Sequence, residues 1–290
     1  MKYVKPTSMQ ELKDLIKDLK SSNKKYAVIA GGTDLMVSLK NHRHYYSEVE
    51  YMLDLSEVKE IKGIKDLGDA VWIGAATTVE ELRESGVIRS HFKVLSEASE
   101  KFATWQIRNV ATVGGNICTS SPASTLAPAL LVYDAAVELG PIEERRMPLR
   151  DFFKGPKKNA LLPYEILTGI TLKKQGDMTG AYEEIGKREG NIIPIVNVAV
   201  GIKAKKEDGK VLLEDVRIAL GSVSPTPVRA LSAESFLKGK YAVQENIEEG
   251  AKRVLSDISP ITDFRASKEY RERMSYVLVK RALNRALGGV

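Results

Sequence analysis

Cysteine is nearly missing from this 290-residue sequence, in which Cys118 is the only example. A single thiol excludes an internal disulfide, and it excludes an iron–sulfur cluster held by this chain alone, which needs about four thiolates. Long apolar runs are missing too, because Asp134 and Asn197 interrupt the most apolar stretches, which fall short of the roughly 18 residues of a membrane helix. We predict no membrane span and no secretion signal in Met1–Gln10, and we expect a cytoplasmic location.

Residues that would catalyse a reaction or bind a metal ion are few. His42 and His44 form a His-x-His pair, but no third ligand is in view, so we expect no metal site. The sequence has no Walker lysine motif, Gly-x-Ser-x-Gly elbow or Cys-x-x-Cys pair, which removes support for nucleotide hydrolysis and serine catalysis. Cys118 lies in an apolar segment and is expected to pack as a small hydrophobic side chain. We therefore predict no catalytic side chain.

The charged residues are spread along the chain. The net charge of +6 comes from 44 basic and 38 acidic residues, and the basic ones occur in scattered pairs such as Lys24-Lys25 and Lys157-Lys158. Surfaces that bind nucleic acids concentrate Lys and Arg on one face, with aromatic residues between them. Because that clustering is missing, we predict no nucleic-acid partner.

The sequence does contain two short double-glycine segments beside apolar runs. Ala30–Leu35 reads AGGTDL, and Ala111–Asn116 reads ATVGGN. Glycine allows positive φ and lets consecutive backbone amides point at phosphate oxygens. A strand over Tyr26–Ala30 and a helical turn over Asp34–Leu39 would frame the first segment, an arrangement that presents free amides to an anion. Together, the segments predict a dinucleotide whose pyrophosphate is held from two sides.

Hydrophobic periodicity divides the chain at Gln175–Asp177. Before this break, short strands alternate with helices, which predicts an α+β domain. The other predicted helices there are 9–22, 79–83, 92–102 and 124–134, and the other strands are 51–55, 71–73, 136–139 and 166–172. After the break, the pattern predicts strands 182–187, 196–204 and 211–220, a hairpin turn at 207–209, and helices 232–237, 244–256 and 267–287.

Six separated segments match one protein family in the family's order. They are AGGTDL from Ala30, QIRNVATVGGNICTSSPAS from Gln106, LPYEIL from Leu162, KREGNIIPIVNVAV from Lys187, SPTPVRA from Ser224 and DFRASKEYRERMSYVLVKRAL from Asp263. Through them the chain resembles, nearly from end to end, the FAD-binding medium subunit of the molybdenum hydroxylases. This family includes xanthine dehydrogenase and aerobic carbon monoxide dehydrogenase.

The resemblance implies a fold and a domain organisation. The fold class is α+β, with a two-lobed FAD-binding domain of the vanillyl-alcohol-oxidase (PCMH) type and a small C-terminal α+β domain built on a three-stranded antiparallel sheet. The FAD-binding domain is expected to span residues 1–175, with lobes of about 1–56 and 57–175. The C-terminal domain, of the carbon monoxide dehydrogenase flavoprotein type, is expected to span residues 176–290.

The resemblance also implies which residues contact FAD. The first segment would supply Val28, Ile29, Ala30, Gly31, Gly32, Thr33, Asp34 and Leu35. The second would supply Ala111, Thr112, Gly115, Asn116, Cys118 and Thr119. Phe102 and Ala103 would lie beside the flavin and its linker, Ser124 at the adenosine end and Leu167 near the isoalloxazine. In such a site, amides and hydroxyls meet phosphate oxygens, and apolar groups cover the flat ring.

Two positions depart from the family's pattern. Thr125 stands where many members have an aspartate that accepts hydrogen bonds from the ribose. Glu183 stands where the xanthine dehydrogenase branch has a lysine near the flavin. We expect the first change to loosen the adenosine end slightly, and the second to remove a positive charge that would stabilise reduced anionic flavin.

The function implied by the resemblance is that of an oxidoreductase subunit. A molybdopterin-containing large subunit would hydroxylate the substrate, and a small subunit with [2Fe-2S] clusters would relay electrons to FAD on this chain. FAD would then pass them to an acceptor such as NAD, ferredoxin, a quinone or oxygen. The subunits would form a heterotrimer or its dimer. The sequence does not fix the hydroxylase substrate, the acceptor or the stoichiometry.

Two alternatives stay open at this stage. The chain could be a self-sufficient FAD-dependent dehydrogenase or reductase of the same fold, which would need its own substrate pocket and an acid or base facing the flavin. It could also be a non-enzymatic binding module in which the glycine segments are ordinary turns. Neighbouring genes for a molybdopterin protein and a cysteine-rich ferredoxin-like protein would favour the subunit.

Overall fold

A small parallel sheet forms the N-terminal part of the chain. The computed structural model describes residues 1–41, 46–188 and 190–288. In this first part the strands are β1 (Lys2–Val4), β2 (Tyr26–Ile29) and β3 (Tyr51–Asp54), in the order β1–β3–β2, and the helices are α1 (Met9–Ser21) and α2 (Leu35–Asn41). The buried side chains of α1, among them Leu12 and Ile16, pack with Leu53 of β3. Because β2 runs directly into Ala30–Leu35, the sheet fixes where the first glycine segment begins.

A five-stranded antiparallel sheet lies at the centre of the next part. Its strands are β4 (Ile64–Asp66), β5 (Ala70–Gly74), β6 (Ala136–Gly140), β7 (Arg145–Pro148) and β10 (Ile166–Lys173), in the order β4–β5–β10–β6–β7, and β8 (Phe153–Gly155) pairs with β9 (Lys158–Asn159). The helices are α3 (Val79–Glu84), α4 (Gly86–His91), α5 (Lys93–Lys101), α6 (Trp105–Arg108), α7 (Val113–Cys118), α8 (Leu126–Val132) and α9 (Leu149–Phe152), and a 3-10 turn spans Lys59–Ile61. Every residue of α8 is buried, so this helix lies inside the protein.

The C-terminal part is an antiparallel sheet that is covered on both faces. Its strands are β11 (Thr179–Ile185), β12 (Val196–Glu207), β13 (Lys210–Gly221) and β14 (Val228–Arg229), and its helices are α10 (Leu231–Leu237), α11 (Gln244–Arg253), a 3-10 turn (Val254–Ser256) and α12 (Lys268–Leu287). Side chains alternate between the two faces of a strand. Accordingly, Ala199 of β12 belongs to the apolar cluster that contains α8, whereas Val198 and Val200 belong to the cluster that contains α12.

The C-terminal sheet corrects one prediction, because it has four strands where the sequence predicted three. The three long strands are those predicted. Between β12 and β13, Asp208 and Gly209 have φ values of 48° and 76°, as an Asp-Gly hairpin turn requires. The additional strand, β14, pairs with Ala219 and Leu220. It was missed because two residues are too few to show an alternating pattern.

A buried arginine of α12 ties the C-terminal part together. Arg271 is 3% exposed. Its guanidinium donates to the carbonyl oxygens of Ile195 (2.6 Å) and Ser222 (2.9 Å) and to Oδ1 of Asp263 (2.8 Å). The last helix therefore holds the start of β12 and the end of β13 in place.

Because Asp263 accepts one of the hydrogen bonds of Arg271, we expect the stability of the C-terminal part to depend on pH. Burial of Asp263 opposes its ionisation, but hydrogen bonds from the Arg265 and Ala266 amides and from Arg271 outweigh burial and lower the pKa of the carboxyl to about 2. A lowered pKa stabilises the fold above the ordinary pKa of about 4, and this stabilisation is lost as the pH falls through about 2. We expect Asp263→Asn to lower the free energy of unfolding by about 1–3 kcal/mol at pH 7.

Urea denaturation at several pH values measures this effect. The difference in free energy of unfolding between wild type and Asp263→Asn should shrink as the pH is lowered towards 2. The control is Asp177→Asn, since Asp177 is exposed in the loop before β11. A difference for Asp263→Asn that is the same at every pH would contradict the account.

Candidate functional site

A cleft of about 680 Å³ lies beside β2, α7, Arg188 and the segment 191–194. All of the residues that the sequence analysis assigned to the cofactor line it, from Val28 in β2 to Leu167 in β10. These residues come from distant parts of the sequence. The fold therefore brings the two glycine segments and the more distant predicted positions onto one surface.

The first glycine segment touches the second motif through the backbone. A Cβ placed on Gly31 would lie 1.7 Å from the carbonyl oxygen of Val110, so no side chain fits there. Gly32 has a φ of +69°, in the left-handed region that favours glycine. Within the described ranges, the amides of Gly31, Gly32 and Thr33 donate no hydrogen bond to the protein. These three groups are available to an anion in the cleft.

The second glycine segment corrects the prediction of two amide-lined loops. It forms the start of α7, where Thr112 is the N-cap. The amide of Val113 donates to the Thr77 carbonyl (2.9 Å), and the amide of Gly115 donates to Oγ1 of Thr112 (3.0 Å). Gly114 is bonded in the same way, to the Ala75 carbonyl. This wall therefore offers side chains and bare glycine carbon, and the amides of Val113, Gly114 and Gly115 are already bonded within the protein.

Ser124 and Asn116 form a fixed pair at the wall of the cleft. The hydroxyl of Ser124 donates to Oδ1 of Asn116 (2.6 Å) and accepts from the amide of Ala127 (3.1 Å). Ser124 is 2% exposed, so its hydroxyl is occupied inside the protein. With Oδ1 engaged, Nδ2 of Asn116 has no acceptor in the part of the chain that the structure describes. The pair thus leaves the side-chain nitrogen of Asn116, Nδ2, as a hydrogen-bond donor.

A strained turn supports Phe102 and Ala103 on the cleft wall. Ala103 has a φ of 42°, an unfavourable conformation for a residue with a side chain. Arg108 stabilises the turn, because its Nη1 donates to the Phe102 carbonyl (3.1 Å) and its Nε is paired with Glu80 (2.7 Å). Leu167 contributes a second apolar side chain to the lining.

Three ionisable side chains of the cleft are either held protonated or paired with a neighbouring charge. Burial raises the pKa of the Cys118 thiol to about 12, so the side chain stays protonated at neutral pH. Glu165 is paired with Arg145 through two hydrogen bonds of 2.6 and 2.8 Å, and the hydrogen bond from Arg145 lowers the pKa of Glu165. Asp34 is paired with Lys157 at 3.0 Å. Neither the Cys118 thiol nor the Glu165 carboxylate is poised to exchange a proton with a ligand near pH 7.

The two departures from the family pattern lie in different places. Thr125 lines the cleft. Glu183 is not part of the described lining, and its carboxylate is paired with Arg285 at 2.6 Å and Arg281 at 3.8 Å. The negative charge of Glu183 is therefore balanced by arginines of α12.

Sequence reasoning did not assign one part of the cleft wall, which Arg188 and residues 191–194 form. Arg188, Asn191 and Ile193 are among the residues that line the cleft. Nη2 of Arg188 donates to the Asn191 carbonyl (2.6 Å), and Asn191 has a φ of 48°. The segment lies within the fourth matching motif, KREGNIIPIVNVAV, which was the available signal. It was overlooked because it contains no paired glycines.

Metal sites and membrane spans can be judged only for the described residues. Over 1–41, 46–188 and 190–288, no group of three or more His, Cys, Asp or Glu side chains could hold a metal ion. The predicted His42 and His44 pair lies outside these ranges. No helix in the same ranges is both long enough and apolar enough to cross a bilayer.

The backbone contact at Gly31 gives a direct test of the site. In Gly31→Ala, the new methyl group would overlap the Val110 carbonyl, so the loop at Gly31 should move away from Val110. The free energy of unfolding should fall by about 1–3 kcal/mol. Gly86→Ala is the matched control, because Gly86 faces open space at the start of α4. Thermal denaturation followed by circular dichroism measures both variants. Equal melting temperatures for Gly31→Ala and Gly86→Ala would show that the contact is not tight.

Comparison with known proteins matches nearly the whole chain to one family. The family model described as the FAD binding domain in molybdopterin dehydrogenase matches residues 1–173, and that of the CO dehydrogenase flavoprotein C-terminal domain matches residues 181–286. A xanthine dehydrogenase FAD-binding subunit of Escherichia coli O157:H7 is 30% identical over 274 residues, covering 93% of this chain and 91% of that protein. The carbon monoxide dehydrogenase medium chain of Hydrogenophaga pseudoflava is 29% identical over 286 residues, covering 98% and 96%.

The fold agrees with these sequence matches. A solved carbon monoxide dehydrogenase from Hydrogenophaga pseudoflava, which lacks the Mo-pyranopterin moiety of its molybdenum cofactor, aligns with a TM-score of 0.89 at 29% identity. The alignment covers 99% of this chain and 97% of that chain. The predicted resemblance, the mixed α and β fold and the cofactor are thereby confirmed. The chain belongs to the family of FAD-binding subunits of the molybdenum hydroxylases, is a subunit of an oxidoreductase, and takes FAD as its cofactor.

Proposed function

We propose that this chain holds FAD in the cleft and passes electrons through it from a [2Fe-2S] partner to an external acceptor. One observation carries the proposal, namely the contact of Gly31 with Val110 and Ala111, where the first glycine segment meets the start of the second. Beside that contact, the amides of Gly32 and Thr33 make no hydrogen bond within the described residues. A run of free amides binds phosphate oxygens, and FAD carries a diphosphate.

The lining fits FAD in size and chemistry. The volume of about 680 Å³ falls within the usual range for small-molecule sites, about 300–1,000 Å³. Thr33, Thr119 and Nδ2 of Asn116 offer polar groups for the phosphates and the adenosine end. Phe102 and Leu167 offer apolar surface for the flat ring.

The residues of this chain would bind and orient the cofactor. When bound, FAD supplies the redox chemistry, because flavins exchange electrons both singly and in pairs. Arg108 fixes the carbonyls of the turn at Phe102 and Ala103, which holds one wall of the cleft rigid. Cys118 and Glu165 take no part in proton transfer, because the first is held protonated and the second is paired with Arg145.

The proposed division of labour follows the proposed domains. Residues 1–175, with lobes of about 1–56 and 57–175, would hold FAD, and residues 176–290 would complete the cleft with Arg188 and the segment 191–194. The partners would be a molybdopterin-containing large subunit and a [2Fe-2S] small subunit, in a heterotrimer or its dimer. NAD, ferredoxin or a quinone would accept the electrons. We place the complex in the cytoplasm, in keeping with the single cysteine.

The ionisable groups favour a subunit over a self-sufficient dehydrogenase. An enzyme acting alone would need an acid or base facing the flavin. Of the acidic groups described in the cleft, Asp34 is paired with Lys157 and Glu165 with Arg145, and the Cys118 thiol is protonated. A non-enzymatic binding module that uses the glycine segments only as turns would not explain why the amides of Gly32 and Thr33 are unbonded within the described ranges.

Cofactor loading tests the assignment of the cleft. Purified protein should be yellow, with one FAD per chain and the absorption spectrum of oxidised flavin. Gly115→Val should weaken FAD binding by about tenfold or more, because Gly115 is exposed on the cleft wall and its new side chain would fill ligand space. Gly86→Val, away from the cleft, is the control. A folded, colourless protein that cannot be loaded with FAD would overturn the proposal.

Electron transfer needs a separate experiment on the complex. In complex stripped of FAD, the hydroxylase substrate should still reduce the iron–sulfur clusters, while turnover with the external acceptor should stop. Adding FAD back should restore turnover. If the isolated chain with FAD oxidised a small substrate by itself, the self-sufficient enzyme would be the correct description.

A further inference from the structure

One corner of the C-terminal sheet grips the segment that carries Ser124. We call Asn197, Gly221 and Ser222 the Asn197 corner, since Asn197 of β12 pairs with Gly221 of β13 and Ser222 follows it. Nδ2 of Asn197 donates to the Ser124 carbonyl (3.0 Å), and the amide of Ser222 donates to the Pro122 carbonyl (2.7 Å). Both ends of the segment 122–124 are thus bound to the C-terminal sheet.

Within the described part of the chain, the side chain of Asn197 forms hydrogen bonds through its nitrogen, Nδ2, and not through its oxygen, Oδ1. The residue is fully buried, and its Oδ1 has no hydrogen-bond partner among the described residues. Leaving a buried acceptor unbonded is unfavourable, so an apolar side chain would suit this position better if only packing mattered. Gly221 makes the room, because a Cβ there would lie 2.3 Å from Oδ1 of Asn197. The presence of a carboxamide at this buried position therefore points to a role for its donor, Nδ2.

The contact reaches the cleft through Ser124. Asn197 holds the carbonyl of Ser124, and the hydroxyl of Ser124 donates to Oδ1 of Asn116, which lines the cleft. Asn197 itself is absent from the described lining. Any shift of Ser124 would turn the carboxamide of Asn116 and move its Nδ2 donor.

We propose that Asn197 is a positioning residue for the cofactor, through which the C-terminal sheet sets the affinity of the cleft for FAD. The path runs from Asn197 to Ser124 and then to Asn116. This inference rests on the proposed function, in which FAD occupies the cleft. It assigns the C-terminal domain a part in cofactor binding at a distance from the ligand.

The affinity of the full-length apoprotein for FAD tests the proposal. Asn197→Leu keeps a similar volume and removes the donor. Titration followed by flavin fluorescence should show a dissociation constant raised about tenfold or more. The control is Tyr182→Phe, since the Tyr182 hydroxyl is the other acceptor of Nδ2 (3.0 Å) and its loss leaves the bond to Ser124 intact. That variant should stay within about twofold of wild type, and equal weakening by both variants would overturn the proposal.

A double-mutant cycle separates positioning from general loosening. Ser124→Ala breaks the link to Asn116, so adding Asn197→Leu to it should change the dissociation constant by no more than about twofold. Fully additive effects would mean that Asn197 acts by another route, and the proposal would be wrong. Circular dichroism confirms that each variant is folded before titration.

A second variant covers the case in which Asn197→Leu does not fold. In Gly221→Ala, the new methyl group would overlap Oδ1 of Asn197 and displace its carboxamide. The same loss of affinity for FAD is expected. If wild type binds FAD and the folded corner variants bind it equally well, this inference fails and the proposed function stands. If folded wild type binds no FAD, both fail.

Discussion

The cleft depends on a contact between two pieces of main chain. Gly31 lies so close to the Val110 carbonyl that a single methyl group would overlap it, and this contact brings the first glycine segment against the wall formed by α7. The parallel sheet fixes one side of the contact through β2. The five-stranded sheet and its helices fix the other. The requirement for glycine at this position is therefore steric, and the contact couples the packing of the parallel sheet and the five-stranded sheet to the shape of one site.

The two walls of the cleft differ in kind. The loop after β2 offers backbone amides. The amides of Val113 and Gly114 in α7 are bonded to carbonyls elsewhere in the protein, and this wall offers Asn116, Thr119 and the bare carbon of Gly115. Arg108 supports the turn at Ala103, and the C-terminal sheet holds the segment that carries Ser124. A cofactor that brings its own redox chemistry needs such a holder, and it does not need an acid or base from the protein.

Much of the fold could be predicted from the sequence, because long amphipathic elements carry a strong periodic signal. α1 is an example, because its buried residues Leu12, Ile16 and Leu19 recur at helical spacing. Short elements gave no such signal, and β14, with its two residues, was missed. The cleft residues were predicted through the motif resemblance, and all of them line one surface. The bonding of the α7 amides and the Asn197 corner depend on contacts between distant residues, which no local pattern reveals.

The most direct test is the electron density of the chain crystallised with FAD. The account predicts that the diphosphate lies against the amides of Gly31, Gly32 and Thr33, with the flavin ring beside Phe102 and Leu167. Density for the diphosphate at any other site, with those amides facing solvent alone, would contradict the central claim.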